Sequence, residues 1–119
     1  MSLSEKSSHR GDEATTVSKL RNVVQQFVDQ RDWQSFHNPK NLAMSLAIEA
    51  GELMEHFQWL TPEEAAAVAA DPDKKHAAGE ELADCLAYVI AIANTMEIDL
   101  SQALQAKMIR NAIKYPPPS

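Results

Sequence analysis

The sequence predicts an all-α protein, specifically a four-helix bundle with a short extra connecting helix. Three observations point there. Ala, Leu, Glu, Gln and Met are abundant, while the 119 residues include only three Gly and 6% aromatics, a balance that favours helix over sheet. Apolar residues recur at three- and four-residue intervals in long segments. Between the segments lie Thr, Asn or Asp followed by Pro or by a Glu or Gln three residues on, the chemistry of helix starts.

In chain order, residues 1–13 are Ser-rich and charged without periodicity and are expected to be a disordered leader. The folded domain is assigned to 14–116 and a short tail to 117–119. With Thr15 or Thr16 as N-cap, Val17, Leu20, Val23, Val24, Phe27 and Val28 mark a first amphipathic helix ending near Trp33. An aromatic and polar loop follows. Asn38 then caps a second helix with Pro39 at its first position, expected to run to about Leu60. Thr61-Pro62-Glu63-Glu64 is a capping box opening a short Ala-rich connector that stops before Asp71-Pro72. A fourth helix is expected from about Lys74 to Met96. Asp99, with Gln102 three residues on, caps a fifth that Tyr115 and the prolines end.

Composition excludes several function classes. The formal charge is −6 and no block of Lys and Arg dominates, which argues against a nucleic-acid polymer or an anionic membrane as partner. Neither a signal-peptide core nor an apolar run of about 18 residues is present, so the cytoplasm is the expected compartment. Cys85 is the only cysteine and is read as a packing residue. A domain this small has a modest core, and its two long helices are apolar on more than one face. Homo-oligomerisation is therefore expected.

Four acids carry the chemical interest. Glu49 and Glu52 stand three apart inside L-A-M-S-L-A-I-E-A-G-E-L-M-E-H-F, and Glu81 and Asp84 repeat the spacing in E-E-L-A-D-C-L-A-Y-V-I-A-I-A-N-T-M. That spacing puts each pair on nearly one helix face. One such pair is more often solvated surface. Two pairs flanked by Ile48, Leu53, Leu82 and Leu86 are harder to solvate, and acids converging inside a bundle need a compensating charge. A hard divalent cation, Mg²⁺ or Mn²⁺, supplies it through oxygen ligands and completes its shell with water and phosphate. That points to a phosphate-bearing substrate. A redox di-metal carboxylate bundle would require Glu-x-x-His, which neither pair provides. A non-catalytic helical oligomerisation module remains the other alternative.

The two acidic pairs form an ExxE…ExxD pattern. Together with R-D-W-Q-S-F-H-N-P-K-N-L, E-A-G-E-L-M-E-H-F-Q-W, E-E-L-A-D-C-L-A-Y and K-M-I-R-N-A-I-K-Y-P, it resembles the MazG-like all-α nucleoside triphosphate pyrophosphohydrolases, in their small dCTP pyrophosphatase branch. The resemblance covers roughly Leu20 to Pro116. It implies cleavage of a dNTP to dNMP and pyrophosphate, a tetramer, and Mg²⁺ held by Glu49, Glu52, Glu81 and Asp84, one of which, provisionally Glu49, orients the attacking water.

It also implies a substrate set. Lys107, Asn111, Lys114 and Tyr115 would clamp the triphosphate, along a cationic stripe that includes Arg110. Trp33, Trp59 and Tyr88 would stack on the base, His37 would hydrogen-bond to it, and Lys40 belongs to the same loop motif. Val24 stands where dCTP-specific relatives carry His, which predicts looser base discrimination. His56, four residues after Glu52, is read as a capping or surface histidine within reach of the metal site.

Overall fold

The computed structural model describes residues 10–119, and all of its regular elements are helical. Residues 1–9 of the expected leader lie outside the described residues, and Arg10 to Thr15 form a turn closed by Ala14 N–H donating to Gly11 O and the Thr15 hydroxyl donating to Arg10 O. Helix α1 spans Val17–Gln30, α2 Pro39–Glu55, α3 Pro62–Ala67, α4 Pro72–Met96 and α5 Leu100–Lys114, with single 3₁₀ turns at Gln34–Phe36 and Val68–Ala70.

The starts follow the local chemistry. Thr16, Asn38, Thr61 and Asp99 each accept a hydrogen bond from the backbone N–H three residues on. At Thr61 the box is reciprocal, because the Glu64 carboxylate accepts from Thr61 N–H at 2.9 Å. Three boundaries move. The first helix ends at Gln30 rather than near Trp33, because Asp32 turns left-handed at φ 53° and Arg31 and Trp33 N–H both donate to Val28 O. The fourth helix begins at Pro72 rather than Lys74, because Asp71 accepts from both Asp73 and Lys74 N–H and Pro72 fits the first position. The second stops at Glu55, five residues before Leu60. There the backbone tightens, with Phe57 and Gln58 N–H both donating to Met54 O and Leu60 N–H to Phe57 O.

Helices α2 and α4 make the most extensive packing, and α1 lies against α4. The buried residues are few and small: Val28 from α1, Leu42 from α2, Val68 from the connector, and Ala78, Ile90, Ala91 and Ala93 from α4. Alanines along α4 let the other two backbones approach it, at the expense of buried apolar volume. Arg21 ties α1 to the end of α4. Its guanidinium donates to Asn94 Oδ1 at 2.9 Å, Ala93 O at 3.1 Å and Ile98 O at 2.6 Å, while Asn94 Nδ2 donates back to Arg21 O. There Glu97 takes the left-handed conformation, φ 54°, and Ile98 N–H closes on Ala93 O in a Schellman-type ending.

Beyond that corner α5 is nearly all exposed; only Leu100 and Asn111 are half-buried. Leu104, Met108, Ile109 and Ile113 face outward, Ile113 at 77% exposure. The Cα radius of gyration is 17.0 Å, against about 14 Å for a compact chain of this length.

Candidate active site

Packing α2 on α4 brings the two acidic pairs together. Carboxylate oxygens of Glu49, Glu52 and Glu81 lie within 4.8 Å of one another. Glu49 and Glu81 are half-buried and Glu52 is exposed. Asp84 is exposed and stands outside this set of three, although its charge is felt by both Glu49 and Glu81. Three of the four expected ligands thus converge and the fourth sits at the rim.

The cluster lacks compensation. Glu49 Oε2 and Glu81 Oε2 are buried without a hydrogen-bond partner. His56, with Nε2 4.0 Å from Glu81 Oε1, is the one basic side chain within ion-pair distance of a cluster acid among the described residues. The acidities respond accordingly. Glu49 is pushed up to about 7, first by a carboxyl-to-carboxyl contact with Glu52 that only a protonated acid can bridge, then by burial and by the charges of Glu52, Asp84 and Glu81. Burial foremost, followed by Glu52, raises Glu81, and His56 partly offsets this. Cys85, half-buried behind the acids, is raised by burial and by its three acidic neighbours, so its thiol stays protonated and poorly nucleophilic.

Beside the acids a cleft of about 450 Å³ opens between α1 and α4, and Asp84 is its only acidic wall residue. The rest of its lining is Val23, Val24, Phe27, Val28, Trp33, His37, Ala87, Tyr88 and Ala91. A second cleft, about 330 Å³, shares Trp33, His37 and Tyr88 and adds Phe36, Asn41, Leu42 and Ser45. Trp33 is held edge-on to Phe27, with ring centroids 5.5 Å apart, and stacks at 26° over His37. Asp32, at φ 53°, turns the chain just before it. A flat, largely apolar slot thus abuts a carboxylate cluster, with Asp84 at the join.

The expected substrate residues divide. Trp33, His37 and Tyr88 line both clefts. Trp59, on the turn after α2, is 85% exposed and lines neither cleft; nor does Lys40 on the first turn of α2. Lys107, Asn111 and Lys114 of α5, with Tyr115 just after it, also stand apart from both clefts. Asn111 Nδ2 contacts Met108 Sδ, and Lys114 Nζ lies 5.3 Å from the Tyr115 ring centre. Val23, Phe27 and Ala87 were not singled out as site residues. The apolar periodicity of α1 had marked Val23 and Phe27 as core, yet both are about half exposed and face the cleft.

Similarity to known proteins follows the same pattern. The model of the MazG-like family matches residues 44–118. Over 101 residues the chain is 42% identical to dCTP pyrophosphatase 1 of Bos taurus and 40% identical to that of Homo sapiens, alignments covering 85% of this chain. It spans about 60% of the length of these curated relatives. Among solved structures, a pyrophosphatase from Archaeoglobus fulgidus superposes with a TM-score of 0.75 at 34% identity, covering 92% of this chain and 97% of that one. The helices, the paired acids and these alignments agree, and the chain belongs to the MazG-like family.

Proposed function

We propose that the protein hydrolyses a deoxynucleoside triphosphate, dCTP or a related or modified dNTP, to the monophosphate and pyrophosphate, in the manner of nucleotide-pool cleansing. The observation that carries this is the carboxylate cluster with two orphaned buried oxygens opening beside an aromatic slot. Similarity to proteins named dCTP pyrophosphatase supports the same reading.

The donor set fits a hard divalent cation. All three convergent groups are carboxylates, and positive charge is what the orphaned oxygens lack. Glu49, Glu52 and Glu81, with Asp84 from the rim, would hold Mg²⁺, for which Mn²⁺ can substitute. When bound, the ion neutralises triphosphate charge and acidifies water.

The chain's own residues do the rest. Trp33 and Tyr88 present flat faces to the base, and His37 offers a ring nitrogen to its edge. Val24, in the cleft wall, adds no hydrogen bond, so the slot selects by shape and tolerates variation among bases. Glu49, whose Oε2 is buried without a partner inside the cluster, is the acid assigned to orient a water and accept its proton. Lys107, Asn111, Lys114 and Tyr115 form the triphosphate side, with Lys40 and Trp59 as further substrate contacts. These six stand apart from the clefts of the single chain, which favours a homo-oligomer, a tetramer by preference, whose subunits bring them to the acids. Leu104, Met108, Ile109 and Ile113 would be covered in that assembly.

The test is a panel of dNTPs with Mg²⁺, reading pyrophosphate and monophosphate. Equimolar release of both, abolished by EDTA, is expected. Orthophosphate as product, or no turnover of any dNTP, would reject the proposal. Light scattering showing a monomer at micromolar concentration would reject the assembly.

A further inference from the structure

Phe27, Trp33 and His37 stand in series in the wall of the base slot. Phe27 meets Trp33 edge-on with centroids 5.5 Å apart, and Trp33 stacks on His37 at 6.4 Å. The backbone that carries Trp33 and His37 is tied to the end of α1. Trp33 N–H donates to Val28 O at 3.1 Å, and Asp29 Oδ1 accepts from the side-chain amides of both Gln25 and Gln34. Phe27 is held differently. It lines the cleft with about half of its surface exposed, so packing alone constrains its ring little. Arg31, one helical turn on, lays its guanidinium over that ring, with the central carbon 3.7 Å from the ring centre and Nη1 donating to Phe27 O at 3.2 Å. Arg31 is itself exposed and lines neither aromatic cleft. A planar guanidinium that stacks on a ring and is anchored by a hydrogen bond restrains that ring better than a mobile ammonium would.

We infer that Arg31 is a positioning residue for the base slot: it fixes the Phe27 ring, against whose edge Trp33 is set, and so acts on base recognition without touching the substrate. The inference rests on the aromatic slot being the base site proposed above. Arg31 carries a charge as well as a flat face, and the two uses separate by ligand. A positive charge near the cleft attracts any triphosphate, whereas an ordered slot matters only to one that carries a base.

Parent, Arg31→Gln, Phe27→Leu and the double variant are compared in dCTP turnover with Mg²⁺, and abasic deoxyribose triphosphate is titrated as a competitor. Arg31→Gln should raise the dCTP KM about 2- to 5-fold, the scale of one exposed cation–π contact, with kcat and the inhibition constant of the abasic competitor at parental values. In the Phe27→Leu background the same substitution should add nothing, since the partner through which Arg31 acts is gone. An equal loss with the abasic competitor would make Arg31 a steering charge. A rise that persists in the Phe27→Leu background would mean that it acts by another route, and an unchanged dCTP KM would leave it no role in the slot; each of these overturns the inference. A readout that needs no substrate is the fluorescence anisotropy of Trp33 in a Trp59→Phe background, which should fall in Arg31→Gln. If the parent turns over no dNTP, the proposed function fails, and equal anisotropy with and without Arg31 then overturns the positioning role separately. Arg31 is exposed and caps α1 through its backbone N–H, so the Gln variant keeps the fold, and circular dichroism of each variant verifies it.

Discussion

Helices α4 and α5 have similar sequence-level patterns and opposite surroundings. α4 is covered by α1 and α2, and its buried residues Ala78, Ile90, Ala91 and Ala93 anchor the chain. α5 begins only four residues after α4 ends, carries Leu104, Met108, Ile109 and Ile113, and leaves all four exposed. Fifteen residues are marginal for an isolated helix, since most helical stability in proteins comes from packing an apolar face. The proposed site divides along the same line. Its acids and base slot are assembled within one chain, whereas the residues assigned to the triphosphate ride on a helix that the described residues leave almost wholly exposed. Preorganisation is thus built into the half that must hold mutually repelling charges, where α2 against α4 fixes the acids.

The strongest way to break that contrast is to relieve the repulsion on the packed side. Glu81→Gln keeps the shape and removes one charge. Turnover should fall at least ~100-fold, the scale of losing one preorganised electrostatic group. The metal-free variant should melt above the metal-free parent, and Mg²⁺ should raise the parent's melting temperature much more than the variant's. The pH dependence has a definite sign. Glu49 and Glu81 have folded-state proton affinities above the usual value of 4.5, Glu49 at about 7, so between those values the folded state binds more protons than the unfolded one. Stability from these groups is complete below about pH 4.5 and is lost as pH rises to 7. Melting in EDTA should show this decline, and Mg²⁺ should flatten it. Equal melting shifts and retained turnover would make Glu81 an ordinary solvated residue.

A smaller effect separates the base slot from the acids beside it. Trp33→Ala removes one stacking face and should weaken dNTP binding by about 1–3 kcal/mol, with Mg²⁺ affinity unchanged, because Trp33 contacts Phe27 and His37 rather than the carboxylates. Unchanged KM for every dNTP would return Trp33 to a packing role.

What the sequence could disclose tracks how local the physics is. The caps at Thr16, Asn38, Thr61 and Asp99 were legible because a side chain meets a backbone N–H three residues away whatever the rest of the protein does. The end of α2 was not. Phe57, Trp59 and Leu60 continue its apolar pattern with no Gly or Pro before Pro62, and the turn onto Met54 O is what stops it. Asp71-Pro72 was read as the stop of one helix, although the same two residues start the next. The acidic pairs were visible from their spacing, but side-chain direction, which spacing does not encode, leaves Asp84 at the rim. Periodicity marked the apolar face of α1 and could not say that part of it fronts a cleft. The spacing of His56 four residues after Glu52 put it within reach of the acids, but which acid it faces, Glu81, depends on the packing of α2 on α4.

The finest test sits at the corner between the two compared regions. Asp99 accepts from Gln102 N–H at 2.9 Å and starts α5. Losing such a cap costs about 0.5–2 kcal/mol of helix stability. Where that cost appears depends on what α5 packs against. If α5 stands alone as in the single chain, Asp99→Ala frays it locally. Amide exchange at Gln102 and Ala103 then accelerates while global melting stays put, because opening an uncovered segment is a sub-global event. If α5 is buried between subunits, its helix is part of the cooperative unit, and the same substitution lowers the melting temperature and does so more at low protein concentration. Asp99→Asn retains the capping oxygen and should behave as the parent in both measurements, which separates the cap from the charge. The proposed assembly requires the second pattern, a concentration-dependent loss in Asp99→Ala alone. Fast exchange with unmoved melting would mean that α5 is free in solution, and the triphosphate residues assigned to it would have no fixed place at the site.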